Sequence, residues 1–220
     1  MELLPQGDVP GGLSRRADYH LRVHGVRVAV PRIETRRLLD LGMPPDDARR
    51  VADFQRRWGG WVLPPGAQYS GGPLWFRADV PEPAPGGGWR FDAGPQRTAV
   101  PYGFMVGPGG EFGIHAERWT PLHATVEGWV EALALTAHVL MWARRITKVT
   151  GGAVDALDLS GYAPVHEVAG LADTWWRGGD ELVALYTGEA ECFDAPGSRL
   201  AIIYSGLDAW GLRGGGPPED

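Results

Sequence analysis

The chain has almost no lysine and almost no cysteine. Lys148 is its single lysine, against 20 arginines, and Cys192 is its single cysteine. One thiol excludes an internal disulfide and fits a reducing cytoplasm. Codon bias in a GC-rich genome explains the arginine excess, because Ala, Gly and Pro are enriched as well. The alternative is selection for bidentate carboxylate or phosphate contacts. Serine is scarce too, at five residues. None sits in a Gly-x-Ser-x-Gly elbow, so an α/β-hydrolase nucleophile is not encoded locally, although a triad assembled from distant residues stays open. No run reaches the roughly 18 apolar residues of a membrane span. The most apolar segment, residues 129–146, carries Glu131, His138, Arg144 and Arg145. The first 16 residues lack an apolar run of signal-peptide length.

What is present describes a folded chain. Its 220 residues suit one domain or two small ones. Glycine (33) and proline (19) together make about a quarter of it, which implies many loops. Ten Trp, six Tyr and six Phe are far more aromatic mass than a disordered chain carries. The net charge of −6 argues against general nucleic-acid binding, which needs clustered cations. It suits a basic protein partner, and equally plain solubility.

The local patterns read as follows. Residues 1–20 mix Gly, Pro and Arg and predict a loose arm. Residues 21–30 alternate apolar and polar, which predicts a strand. A helix over 32–41 stops at Gly42. A second helix follows Pro44-Pro45, with Asp46 and Asp47 in its first turn, Arg56 and Arg57 in its last, and Val51, Phe54 and Trp58 on one face. Strands are expected over 73–78 and 89–91, with a Pro/Gly loop over 81–88 between them. Residues 100–106 and 111–115 flank Gly107-Pro108-Gly109-Gly110 as a hairpin. The clearest helix runs over 126–149 from a Thr125 N-cap and ends at Gly151-Gly152. Strands over 181–186, 189–193 and 199–204 and a helical turn over 207–212 complete the chain, and 213–220 should fray.

Candidate chemistry is sparse. The glycines at 107–113 lack the Lys-Ser/Thr ending of a P-loop and join two strands, so a hairpin turn explains them. His115, Glu117, His123, His138 and His166 have no zinc-type spacing, and His166-Glu167 lacks the second His of a zinc-protease motif. Neither a metal nor a cofactor is expected. Cys192 reads as a small buried hydrophobe. Glu189 and Glu191 share a face if they lie on a strand. Trp175-Trp176-Arg177 puts two indoles beside an Arg, so one Trp should be core and the other a candidate interface anchor.

The segments 51–60, Leu63-Pro64-Pro65, Gly71-Gly72, the 100–115 hairpin and the helix after Thr125 occur in the order of a known family. Over residues 46–149 the chain resembles the SUKH superfamily. The resemblance implies an α+β fold: an antiparallel β-sheet with a long helix packed on it. It divides the chain into an arm (1–20), a SUKH-like core (21–152), a β-rich C-terminal extension of the same domain (153–212) and a tail (213–220). Many bacterial members look like immunity proteins that block a toxin, often a nuclease or deaminase, by direct binding. The resemblance carries over no catalytic residue. The expected function is therefore a non-catalytic, cytoplasmic protein-binding module. Trp175, Trp176, Arg177, Glu181, Glu189, Glu191 and Asp194 are its candidate partner-binding residues, facing a basic toxin rather than nucleic acid or membrane. The alternative is an enzyme or small-ligand binder with its site around His115 and His123, together with Glu117 and His166.

Overall fold

The computed structural model describes residues 2–5 and 7–213. Of the expected frayed tail, residues 214–220 lie outside the described residues. In chain order the elements are β1 (Leu3–Leu4), α1 (Arg15–His24), β2 (Val26–Val28), α2 (Thr35–Asp40), α3 (Pro45–Trp58) and β3 (Trp61–Val62). Next come β4 (Asp79–Pro83), β5 (Trp89–Gly94), β6 (Gly103–Val106), β7 (Phe112–His115), β8 (Trp119–His123) and α4 (Val126–Trp142). The chain ends with β9 (Arg145–Thr150), β10 (Ala163–Pro164), β11 (Asp173–Gly178), β12 (Glu181–Tyr186), α5 (Gly188–Cys192), β13 (Leu200–Ser205) and α6 (Ala209–Arg213). The fold is α+β, with three antiparallel sheets: β1-β2-β3, the meander β4-β5-β6-β7-β8, and β10-β11-β12-β13-β9.

Helix α4 organises the molecule. Thr125 caps it by accepting the Gly128 N–H at 3.1 Å. One face, with Val126, Trp129, Val130 and Ala134, joins Phe91, Phe104, Phe112 and Ile114 of the meander in a first core. The other face, with Ala132, Leu135 and Val139, meets Trp175, Leu182, Ile202 and Tyr204 in a second core. The helix therefore serves both five-stranded sheets, which is why it is apolar nearly all round. Thr125→Ala should cost about 1 kcal/mol, the usual loss for an N-cap hydroxyl, read by urea unfolding.

Several elements differ from the sequence reading, each for a physical reason. The strand predicted over 21–30 begins as helix, since residues 21–24 complete α1, and the arm predicted over 1–20 already turns helical at Arg15. Ser14 caps α1, and the Glu131 carboxylate of α4 holds Ser14, so a distant contact overrides local alternation. The strand pattern survives only in β2. Residues 73–78 form no regular strand. Phe76 donates to Trp61 O while Arg77 donates to Ala93 O, so the backbone divides its bonds between two neighbours. Part of the predicted 81–88 loop is strand β4, whose Pro81 and Pro83 are tolerated because β4 is an edge. Helix α4 stops at Trp142, short of residue 149, because Ile146, Thr147, Val149 and Thr150 are β-branched and pair with β13. The strand predicted over 189–193 is the short helix α5. Asp173 Oδ1 accepts the N–H groups of Thr187 (3.1 Å) and Gly188 (3.3 Å) at its start.

The connection 151–162 runs from the edge strand β9 to the opposite edge β10. It crosses the face of the sheet away from α4, where Val154 is buried and the Tyr162 hydroxyl donates to Glu181 at 2.5 Å.

Candidate functional site

The residues predicted to bind a partner do not gather on one surface. Trp175 is core: it is 1% exposed and stacks on Tyr204 at 5.8 Å. Trp176 points to the other side of β11 and donates its indole N–H to Thr174 Oγ1 at 3.0 Å. Only half-buried, it is the one indole of the pair near the surface, as alternation along a strand requires. Arg177 is half-buried opposite Leu182.

The carboxylates separate as well. Glu181 begins β12 and accepts from Tyr162 and from Ser205 Oγ at 2.7 Å, bonds that hold its pKa below the ordinary range. Glu189 and Glu191 lie beyond the far end of β12, about 17 Å along the strand. They sit on α5, so the shared strand face expected for them does not exist. Glu189 accepts from Tyr102 Oη (2.9 Å) and Glu191 from Thr187 Oγ1 (2.7 Å). Asp194 pairs with Arg118 at 3.0 Å. Glu191 and Asp194 do share a cleft of about 330 Å³, but Arg118 and Arg199 line it too, so its charges are balanced.

The histidine alternative disperses in the same way. Phe112 pairs with His123 and His115 with Trp119, which puts the two imidazoles at opposite ends of the β7–β8 hairpin, about 10 Å apart. Glu117 and His166 are exposed on separate turns. Among the described residues, no three His, Cys, Asp or Glu side chains are grouped to hold a metal ion. Cys192 is buried, with its thiol on Arg118 O at 3.3 Å.

Buried polar chemistry concentrates at a seam that the sequence reading missed. Asp173 on β11 is 1% exposed, and its Oδ1 accepts from Tyr69 Oη at 2.7 Å. Its Oδ2 has no hydrogen-bond partner. Burial raises the carboxyl pKa to about 7, against the pull of those three donors. His123 lies in the same small cavity of about 20 Å³, which has room for one water-sized group. Its Nδ1 donates to Val168 O at 2.8 Å, and burial lowers its pKa to about 4. Tyr69 is held by an unusual turn: Tyr69, Ser70, Gly71 and Gly72 all have positive φ. Such strain in two non-glycine residues marks a position fixed by its surroundings. A carboxyl titrating near pH 7 has the right acidity for proton transfer. This one, however, is walled by Trp129, Leu133 and Tyr186 in a space too small for a substrate.

The exposed surface offers a different feature. Around the last turn of α4, Leu140 (51% exposed), Met141 (72%) and Trp142 (45%) face solvent, together with Ile146 of β9 (46%) and Trp210 of α6 (52%). The pieces are tied together. His138 Nε2 lies 3.3 Å from Trp210 O, and the His138 and Trp142 rings are 6.2 Å apart. A Cβ on Gly211 would come within 3.3 Å of Trp142 Cβ. The Arg144 N–H then donates to Ser205 O and turns the chain into β9. Grouped exposed apolar side chains of this size, two of them tryptophans, mark interaction sites in folded proteins.

The fold and surface therefore define an α+β protein with a buried polar seam and an apolar surface at one end of its central helix. Compared with protein-family models, with curated proteins and with solved structures, the chain has no match. No described helix is long and apolar enough to cross a membrane.

Proposed function

We propose that this chain is a non-catalytic protein-binding module and, more finely, an immunity-type protein that neutralises a cognate toxin by direct binding. The binding reading is carried by the exposed Leu140, Met141, Trp142, Ile146 and Trp210 at the end of α4. Burying that surface against a partner would release water from five large apolar side chains, and Trp is the residue most enriched among binding hot spots. The toxin-neutralising form rests on the SUKH-like order of segments over residues 46–149. A basic toxin such as a nuclease or deaminase fits the net charge of −6, which steers a cationic protein at long range. Neither a cofactor nor a reactive side chain enters this role, because a preformed surface is sufficient.

The test is an affinity measurement on the partner recovered with the tagged chain from its source cells. Met141→Asp/Trp142→Ser should weaken that complex at least about thirty-fold, the effect of losing a hot spot of about 2 kcal/mol. Met141 is largely exposed, whereas Trp142 also packs beside His138 and Gly211, so urea unfolding of the same variant separates lost stability from lost binding. The same variant should lose protection of cells that express the toxin. Unchanged affinity and protection would remove the reading.

A further inference from the structure

Strand β9 is an edge of its sheet. It pairs with β13 on one side and, among the described residues, with no strand on the other. In an antiparallel ladder, alternate residues bond to the one neighbour, so about half of its backbone N–H and C=O groups face outward. Five of its six residues are exposed and Val149 is half-buried. The strand offers an edge of about 20 Å.

The charge along this edge is of one sign. No carboxylate occurs in the sequence between Glu131 and Asp155, whereas Arg144, Arg145 and Lys148 all fall there and are all exposed. Among the described residues the ion pairs within 4 Å use other side chains. Arg145 reaches Glu181 only as a longer-range field, the weakest of the influences on that carboxyl. In a chain of net charge −6, this is a local cationic edge beside an apolar shelf.

From this juxtaposition we infer that the outer edge of β9 takes up an extended acidic segment of the protein partner as an added strand. Aromatic or aliphatic side chains of the segment would rest against Ile146 and Trp142. The inference rests on the protein-binding reading above and names the mode of docking. Main-chain bonds to the edge would supply affinity, and carboxylates facing Arg144, Arg145 and Lys148 would supply selectivity. A second copy of the chain fits poorly, because pairing β9 with itself brings four cations together along one edge, Arg145 and Lys148 from each copy. A partner of net positive charge with one acidic segment satisfies both the long-range field and this local one.

The probe is a phage-displayed library of random 12-residue peptides, selected on the intact chain. Enriched peptides would then be synthesised and mapped by amide hydrogen exchange. Acidic sequences with carboxylates on both faces of the added strand should be recovered, because Arg145 and Lys148 lie on opposite faces of β9, and they should protect the amides of residues 145–150. Their affinity should fall at least tenfold in Arg145→Glu/Lys148→Glu, whose exposed positions leave the fold intact, and that variant should now select basic peptides. Enriched peptides that are not acidic, or that protect amides elsewhere, would overturn the edge inference and leave protein binding standing. No enrichment of any peptide, joined to unchanged partner affinity in Met141→Asp/Trp142→Ser, would overturn both.

Discussion

Glu131→Ala should lower the unfolding free energy by about 3–5 kcal/mol, the cost of leaving one member of a buried ion pair without its partner. Glu131 is 3% exposed and Arg16 is 8% exposed, and their side chains meet at 3.1 Å. The same carboxylate accepts the Ser14 N–H at 2.5 Å and its hydroxyl at 2.7 Å, so it also fixes the start of α1. The alanine variant therefore strands a guanidinium and two donors inside the protein. Arg16→Met/Glu131→Leu should recover part of the loss, because it removes the unpaired guanidinium, whereas the two Ser14 donors stay without their acceptor. Equilibrium urea unfolding of the parent and the two variants reads this directly. A Glu131→Ala loss under 1 kcal/mol would show that α1 is not anchored through this pair.

The second large effect is in the pH dependence of stability. His20 and His123 are buried, and desolvation lowers both to about pH 4. In the unfolded chain each takes up a proton near pH 6.5, so their contribution is complete above 6.5 and is lost as pH falls from 6.5 through 4. The size is on the order of 3 kcal/mol for each imidazole. Asp173 works the other way. Its pKa is raised to about 7, so the folded state holds a proton that the unfolded chain releases near 3.8, and stability falls as pH rises from 3.8 through 7. Two imidazoles outweigh one carboxyl below 6.5, and above 6.5 only the carboxyl still titrates. The curve should rise from pH 4, peak near 6.5 and decline slightly towards 7.5. Asp173→Asn mimics the protonated acid and keeps an oxygen for Tyr69, Thr187 and Gly188. It should abolish the decline and make the protein more stable than the parent at pH 8. Denaturation across pH 4–9 checks it, and a variant less stable than the parent at pH 8 contradicts it.

Sequence and structure agree wherever local chemistry decides. Thr125 capping α4, Gly42 and Gly59-Gly60 ending α2 and α3, and the buried face of Val51, Phe54 and Trp58 were legible because each depends on residues within a turn or two. The 103–115 hairpin was legible from its glycine turn, and strands β12 and β13 from their short runs of apolar residues. The failures share a different cause. Helix α1 depends on Glu131, 117 residues from Ser14. Helix α5 depends on Asp173, whose oxygen satisfies backbone donors 14 and 15 residues away. The polar seam joins Tyr69 to Asp173 across 104 residues. The one local hint of it was the Tyr69-Ser70-Gly71-Gly72 run, in which two glycines follow a tyrosine that takes a positive φ. The shared face expected for Glu189 and Glu191 depended on a strand, whereas helix α5 places them differently and gives each its own partner.

The most direct test of protein binding through the end of α4 is site-specific photocrosslinking in living source cells. A photoreactive phenylalanine would replace Met141 in one sample, Trp210 in a second and Asp53, a half-buried residue of α3 whose side chain is 48% exposed, in a third. Binding through this surface predicts that one and the same protein crosslinks from positions 141 and 210 and not from position 53. That protein should also protect the amides of residues 145–150 when it is purified with the chain. Crosslinks from position 53 alone, or equal and scattered crosslinks from all three positions, would contradict the proposed function.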